Sequence, residues 1–195
     1  ASLHSSHRQL KWWAREVKTV EPVREARKPL KWSCTPIIFD VEDHPDRTTA
    51  VGCLPSLVSP TIRNLKVTKM LVDGGAVFNL ISLKVISKLQ IAEEELKVTS
   101  TFQGVNPGRS HPKGKITLLV TFGEELNYQT KKVVFDVVDL PLPYNRTLGR
   151  PALAKFLAAS HYAYNTLKMP GPVGVISIPS DEKDTIICVD KMYRD

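Results

Sequence analysis

The sequence has few of the features that mark disulfide frameworks, metal knuckles or membrane segments. Three cysteines, Cys34, Cys53 and Cys188, are scattered over 195 residues without a C-x-x-C pair. An odd, dispersed set argues against both a disulfide scaffold and a zinc knuckle, and fits a reducing compartment. No run approaches the ~18 apolar residues of a membrane-spanning helix. No basic-then-apolar leader opens the chain, and residue 1 is Ala rather than Met, so it reads as a soluble fragment or processed piece that is not secreted. Internal repeats and a βαβ rhythm are also missing. Fourteen prolines against ten glycines instead point to many short strands joined by turns, or to flexible ends.

What charge there is lies unevenly. Residues 1–32 hold eight Lys/Arg and three Glu, whereas the other 163 residues carry 19 Lys/Arg against 17 Asp/Glu. The net charge of +7 therefore belongs mainly to the arm. Trp12, Trp13 and Trp32 punctuate this arm without a sustained period, and Pro22 and Pro29 limit any helix to a short piece. We read residues 1–32 as a basic flexible linker. It is either a solvated tether or a weak RNA contact through charge and indole stacking. Residues 33–60 form an extended lead-in with room for one strand at Pro36–Phe39. Its Asp43, His44 and Asp46 lie in a Pro-containing polar loop, and no metal site is expected there.

From Ile62 the pattern changes. IRNLKVTKMLV is rich in β-branched and aliphatic residues and stops at Asp73-Gly74-Gly75. Ser82 can cap a short helix over Leu83–Leu89, with Leu83, Ile86 and Leu89 on one face. Lys97–Phe102 reads as a strand, and QGVNPGRSHPKG (Gln103–Gly114) as a hairpin tip. Two long strands follow at Lys115–Phe122 and Tyr128–Val138, with Phe135 and Val137 inward and the even-numbered face, including Asp136, outward. Pro151–Ala158 begins with a proline suited to a helix start. His161–Met169 and Val173–Ile178 read as closing strands. The fold class is all-β with one or two short helices, and the domain spans residues 61–178. Residues 179–195 read as a polar C-terminal connector, with a possible interface strand at Thr185–Val189.

An apolar strand ending in Asp-Gly-Gly places a carboxylate at a tight turn, where glycine permits unusual dihedrals and close backbone approach. Farther on, Thr147-Leu148-Gly149-Arg150-Pro151 runs an apolar pair into glycine and then a helix. In LVDGGAVFNLIS and TLGRP this sequence resembles the retropepsins, the dimeric aspartic proteases of retroviruses and LTR retrotransposons. The resemblance extends through LKWSCTPIIFDVEDHPDR, FQGVNPGRSHPKGKITLLVTFG and TLGRPALAKFLA…YNTLKMPGPVGVISI, from about Leu30 to Ile178. Over that stretch the chain looks like the protease region of a plant gypsy-type retrotransposon polyprotein.

The resemblance implies a retropepsin-like closed β-barrel, one half of an acid protease, assembled as a homodimer. It makes Asp73 the catalytic carboxylate and Gly74, Gly75 and Ala76 the active-site loop, with Gly74 and Gly75 donating backbone hydrogen bonds. Gly104, Val105, Asn106, Pro107 and Gly108 would form the flap over the peptide, and Leu148, Gly149 and Arg150 a structural motif beneath it. The implied activity is an aspartic endopeptidase acting on its own polyprotein, in the cytoplasm (in a virus-like particle) or the nucleus. No cofactor, metal or membrane is called for. Two positions differ from the family pattern. Gly74 stands where most members carry a Thr or Ser hydroxyl that ties two active-site loops together, and Val77 stands where retroviral members have an Asp that pairs with the equivalent of Arg150. A second function class stays open: a catalytically silent retropepsin fold serving as a dimerising segment or transposon relic. A third, a basic RNA-binding module built on the arm, is weakened by the near-neutral domain and the missing zinc knuckle.

Overall fold

The computed structural model divides the chain into two units, Ala1–Trp32 and Ser33–Asp195. It describes residues 34–44, 52, 54–98, 102–103, 109–110, 112–139, 144 and 146–194, all in the second unit. The strands, in chain order, are β1 (Leu57–Val58), β2 (Thr61–Ile62), β3 (Leu65–Lys66), β4 (Met70–Asp73) and β5 (Leu80–Ser82). Helix α1 (Leu83–Lys88) precedes β6 (Phe102–Gln103), β7 (Arg109–Ser110), β8 (Gly114–Glu124), β9 (Asn127–Val138) and β10 (Arg146–Gly149). Helix α2 (Arg150–Phe156), strands β11 (Ala159–His161), β12 (Thr166–Gly171) and β13 (Gly174–Pro179), and helix α3 (Glu182–Arg194) complete the unit.

The long hairpin β8–β9 follows directly from its sequence. In β8, Ile116, Leu118, Val120 and Phe122 point inward and alternate with outward Thr117 and Leu119, the period-2 pattern of a half-buried strand. The partner β9 keeps that alternation only at its start. From Val133 onward its residues, Val134 excepted, are buried, because β5 and β8 flank it and its end lies deep in the sheet. Asp136, expected on an outward face, is therefore only 7% exposed. Its backbone N–H donates to Asn79 O and its carboxylate lies 3.8 Å from Lys115 Nζ.

Eight strands form one sheet in the order β1-β4-β10-β5-β9-β8-β2-β3, and β11-β12-β13 form a second. The closed barrel expected from the sequence does not form. Strands β1, β2 and β3 are two residues each, too short to carry the ladder round, and β3 is exposed. The open side is covered by packing instead: Leu167, Met169 and Ile176 of the second sheet join Val58, Ile62, Met70, Ile81, Phe135, Leu148 and Phe156 in one core. Phe122 and Phe156 meet edge-to-face with centroids 5.1 Å apart. Burying a side chain of this size contributes about 1.5–3 kcal/mol, so this shared core is what joins the two sheets.

Local signals explain most turns. Arg63 and Asn64, with φ of 47° and 65°, make the two-residue loop between β2 and β3. Ser82 stands at the start of α1 as expected, but its hydroxyl makes no capping bond. Pro151 opens α2, and Leu157 ends it in the left-handed region. The stretch Pro36–Phe39 forms no strand. It is fastened by a 3-10 turn at Val41–Asp43 with a capping box from Asp40, and by Lys168 of β12. Thr185–Val189, expected as a candidate interface strand, is helical. Asp181 caps α3 by accepting from Asp184 N at 3.0 Å, and the fully buried Thr185 donates to Pro55 O. Ser180 both donates to and accepts from the backbone of Leu57, docking α3 onto β1. Among the described residues no helix is long and apolar enough to cross a membrane.

Candidate active site

The site is built where β4 and β10 run side by side. They are parallel, with Leu148 opposite Val72 and Gly149 opposite Asp73. The two strands end at the same level, so the Asp73 turn and the start of α2 emerge together. Val72 and Leu148 are buried beneath them, 4% and 1% exposed, and fix the height of the turn by packing. Asp73 itself is half-buried.

The carboxylate is oriented by its own turn. Asp73 Oδ1 accepts from Gly75 N at 2.8 Å and from Ala76 N at 3.2 Å. Donors two and three residues ahead are the usual partners of an aspartate at a turn. The expected pair, Gly74 and Gly75, is thus shifted by one residue to Gly75 and Ala76. A Cβ on Gly75 would stand 3.2 Å from Asp73 Oδ1, so glycine there lets the amide approach the carboxylate closely. With both of these amides on Oδ1, Oδ2 takes no bond from the turn.

Gly149 locks the turn from below. A Cβ there would lie 2.3 Å from Phe78 O and 2.8 Å from Ala76 O, both immovable backbone atoms. Only glycine lets β10 pass under the Asp73–Phe78 loop. The next residue completes the contact, Arg150 N donating to Ala76 O at 2.9 Å. The Arg150 side chain is exposed.

Asn79 is a residue that sequence reasoning missed. It is 4% exposed, and its side chain bridges the two halves of the site. Nδ2 donates to Val134 O and Oδ1 accepts from Gly149 N, both at 2.9 Å, while its backbone O accepts from Asp136 N. One amide therefore joins the Asp73 loop, β9 and β10. The available signal was a lone polar residue inside the apolar run AVFNLIS, since a buried amide must find partners for its donors and acceptor.

The surroundings are fixed by other polar groups. Arg146, at the start of β10, is partly buried, and this burial pulls its guanidinium below its ordinary pKa. It donates to Thr68 O, and its Nε has no partner among the described residues. Lys168 reaches from β12 to Asp43, with Nζ 2.6 Å from Oδ2 and 2.9 Å from Ile38 O. That hydrogen bond, aided by the Asp40 backbone, holds the Asp43 carboxyl below its usual range. Asp43 thus serves a clasp. His44, its neighbour in sequence, packs edge-on against Tyr164 with centroids 5.6 Å apart. Among the described residues no cluster of three or more His, Cys, Asp or Glu is placed to hold a metal.

The flap residues Gly104, Val105, Asn106, Pro107 and Gly108 lie outside the described residues. The strands that flank them are described: β6 pairs antiparallel with β7, Phe102 opposite Ser110 and Gln103 opposite Arg109. This pair of two-residue strands brackets the expected flap positions, and takes up Gln103, Arg109 and Ser110, which the sequence assigns to the tip.

The chain matches no protein-family model and no curated protein sequence. It is similar in structure to the retroviral protease-like domain of Ddi1 from Leishmania major, with a TM-score of 0.51 at 19% identity, over 67% of this chain and 96% of that one. A retropepsin-like aspartic protease from Rickettsia conorii aligns with a TM-score of 0.42 at 20% identity, over 63% of this chain and 80% of that one. The first of these carries the assignment: mostly β, with few helices, the chain has a retropepsin-like fold.

Proposed function

We propose that the chain is one subunit of a homodimeric aspartic endopeptidase and that Asp73 is its catalytic carboxylate. The observation that carries this reading is the seating of Asp73. It ends a core strand in register with Gly149, has one oxygen held by two backbone amides, and leaves the other oxygen free of the turn. Each chain brings a single such aspartate, so a second copy supplies the other across a two-fold axis. Two carboxylates roughly 3 Å apart share one proton and titrate as a pair. The ionised member takes a proton from a water, whose oxygen attacks the scissile peptide carbonyl. The protonated member gives its proton to the carbonyl oxygen, and the tetrahedral intermediate then collapses with proton transfer to the leaving amine.

Gly104–Gly108 act as the flap, closing over an extended peptide and adding strand-like hydrogen bonds to it. Leu148 and Gly149 keep the catalytic loop at its height. In line with the ordered sequence motifs, the substrate is the polyprotein of a plant gypsy-type retrotransposon, cut by the protease it contains. Residues 1–32 then act as a flexible linker within that polyprotein. A silent fold with the same architecture is the competing reading, favoured by Gly74, which offers no side-chain hydroxyl to the active-site loops. The test is cleavage of an extended apolar peptide at mildly acidic pH. Cleavage blocked by pepstatin and abolished in Asp73→Asn supports the enzyme. Cleavage that persists in Asp73→Asn removes the role of that residue, and a folded dimer that never cuts favours the silent fold.

A further inference from the structure

Gly74 has no conformational reason to be glycine, because its φ lies outside the left-handed region occupied by Gly52, Gly123 and Gly174. Its missing side chain is matched by a neighbour from elsewhere in the fold. A Cβ on residue 74 would stand 2.9 Å from the phenol oxygen of Tyr162, the one heavy atom within 4 Å among the described residues other than its two chain neighbours. Tyr162 belongs to the turn between β11 and β12. That turn is fixed by stacking of His161 on Tyr164, centroids 4.1 Å apart, and by donation from Tyr164 N to His161 Nδ1. The hydroxyl of Tyr162 therefore occupies the volume that a side chain at position 74 would fill. Even so the tyrosine is 58% exposed, and Gly75 and Val77 of the Asp73 loop are exposed as well.

We propose that Tyr162 is a positioning residue of the dimeric site, supplying from the β11–β12 turn the hydroxyl that position 74 lacks and using it to hold the partner copy's active-site loop. The inference rests on the two-fold arrangement proposed above and follows from its geometry. If two Asp73 carboxylates meet within roughly 3 Å, the residue next to each of them lies at the two-fold contact. Tyr162 Oη, 2.9 Å from where a Cβ on that residue would stand, is placed beside that contact. A phenol there is a donor and acceptor on a rigid ring, aimed at backbone groups of the facing loop. Gly74 and Tyr162 are complementary. A side chain on residue 74 would push the hydroxyl away, and loss of the hydroxyl would leave the contact without a donor.

The experiment is sedimentation equilibrium of the full chain, wild type against Tyr162→Phe, Gly74→Ser and the double variant, with peptide cleavage measured alongside. Tyr162→Phe keeps the ring and is expected to leave the melting temperature of the dilute chain unchanged. It should weaken dimerisation about tenfold or more, because symmetry removes two hydrogen bonds at once. Gly74→Ser alone should weaken it as well, by crowding Tyr162. In the double variant the serine hydroxyl enters space the phenol oxygen has vacated, and dimerisation and kcat should recover toward wild type. A purely structural tyrosine would show no such rescue. Tyr162→Phe that dimerises like wild type, or a double variant no better than the singles, overturns the inference. A wild-type chain that stays monomeric overturns it together with the proposed function. A chain that dimerises but shows no Asp73-dependent cleavage overturns the catalytic reading alone, and sedimentation still decides for Tyr162.

Discussion

Replacing Gly149 with alanine attacks the site at its base without touching a charged group. The added methyl would stand 2.3 Å from Phe78 O and 2.8 Å from Ala76 O. Neither atom is the loose end of a side chain. Relief requires β10 or the Asp73–Phe78 loop to shift, and forced shifts of this kind cost about 1–3 kcal/mol. A shift of β10 also stretches the bond from Gly149 N to Asn79 Oδ1, now 2.9 Å, and weakening it adds roughly 0.5–1.5 kcal/mol. The expected total is about 2–4 kcal/mol, a large part of the roughly 5–15 kcal/mol that stabilises an ordinary domain. At roughly 2–4 °C per kcal/mol for a unit of this size, thermal unfolding followed by circular dichroism should fall by about 5–15 °C. Peptide cleavage should fall further than stability alone explains, because the same shift moves Asp73, which pairs with Gly149 in the parallel ladder. An alanine variant that melts within about 1 °C of wild type and cleaves normally would refute the reasoning that only glycine fits under the loop.

Three other outcomes follow from the same geometry. Asn79→Ala leaves the buried Gly149 N and the part-buried Val134 O without their side-chain partner, and should cost about 1–3 kcal/mol in urea unfolding. An unchanged midpoint would show that the amide bridges nothing important. Gly75→Ala should act oppositely to Gly149→Ala, with little loss of melting temperature but a severe loss of kcat, since its Cβ crowds Asp73 Oδ1 at an exposed turn. The Asp43–Lys168 clasp gives a pH signature. The Asp43 carboxyl is held low by Lys168, so its stabilisation is present above the unfolded carboxylate pKa and is lost as pH falls through the lower folded value. Lys168→Met should weaken that acid-side dependence in pH-resolved thermal melts, the Asp40 backbone bond remaining, and an unaltered pH profile would contradict the clasp.

How far the sequence alone could reach depended on which physics was local. The β8–β9 hairpin and the proline start of α2 were readable because alternation and helix-start chemistry sit in neighbouring residues. Asp73 and Gly149 were readable as motifs, although their pairing across β4 and β10 is a long-range fact that spacing does not reveal. The burial of Asp136 was misread because a period of two assumes one wet face, whereas the end of β9 is a central strand between β5 and β8, with Lys115 beside the Asp136 carboxylate. The open sheet was missed for a related reason. Pro60 and the Arg63-Asn64 turn interrupt residues 57–66, but nothing there announces that the second sheet covers the core left open. Helix α3 looked like a connector because its polar residues dominate the composition, whereas its docking relies on Thr185 and Ser180 meeting backbone atoms more than a hundred positions away.

Mixing wild-type and Asp73→Asn chains in equal amounts, after full exchange of subunits, tests the central claim most directly. If each active centre needs one Asp73 from each of two copies, only dimers with two intact chains cut, and the rate should fall to about one quarter of that of the same total amount of wild-type protein. A rate of about one half would mean that each chain works alone, and would contradict the shared carboxylate pair on which the proposed chemistry depends.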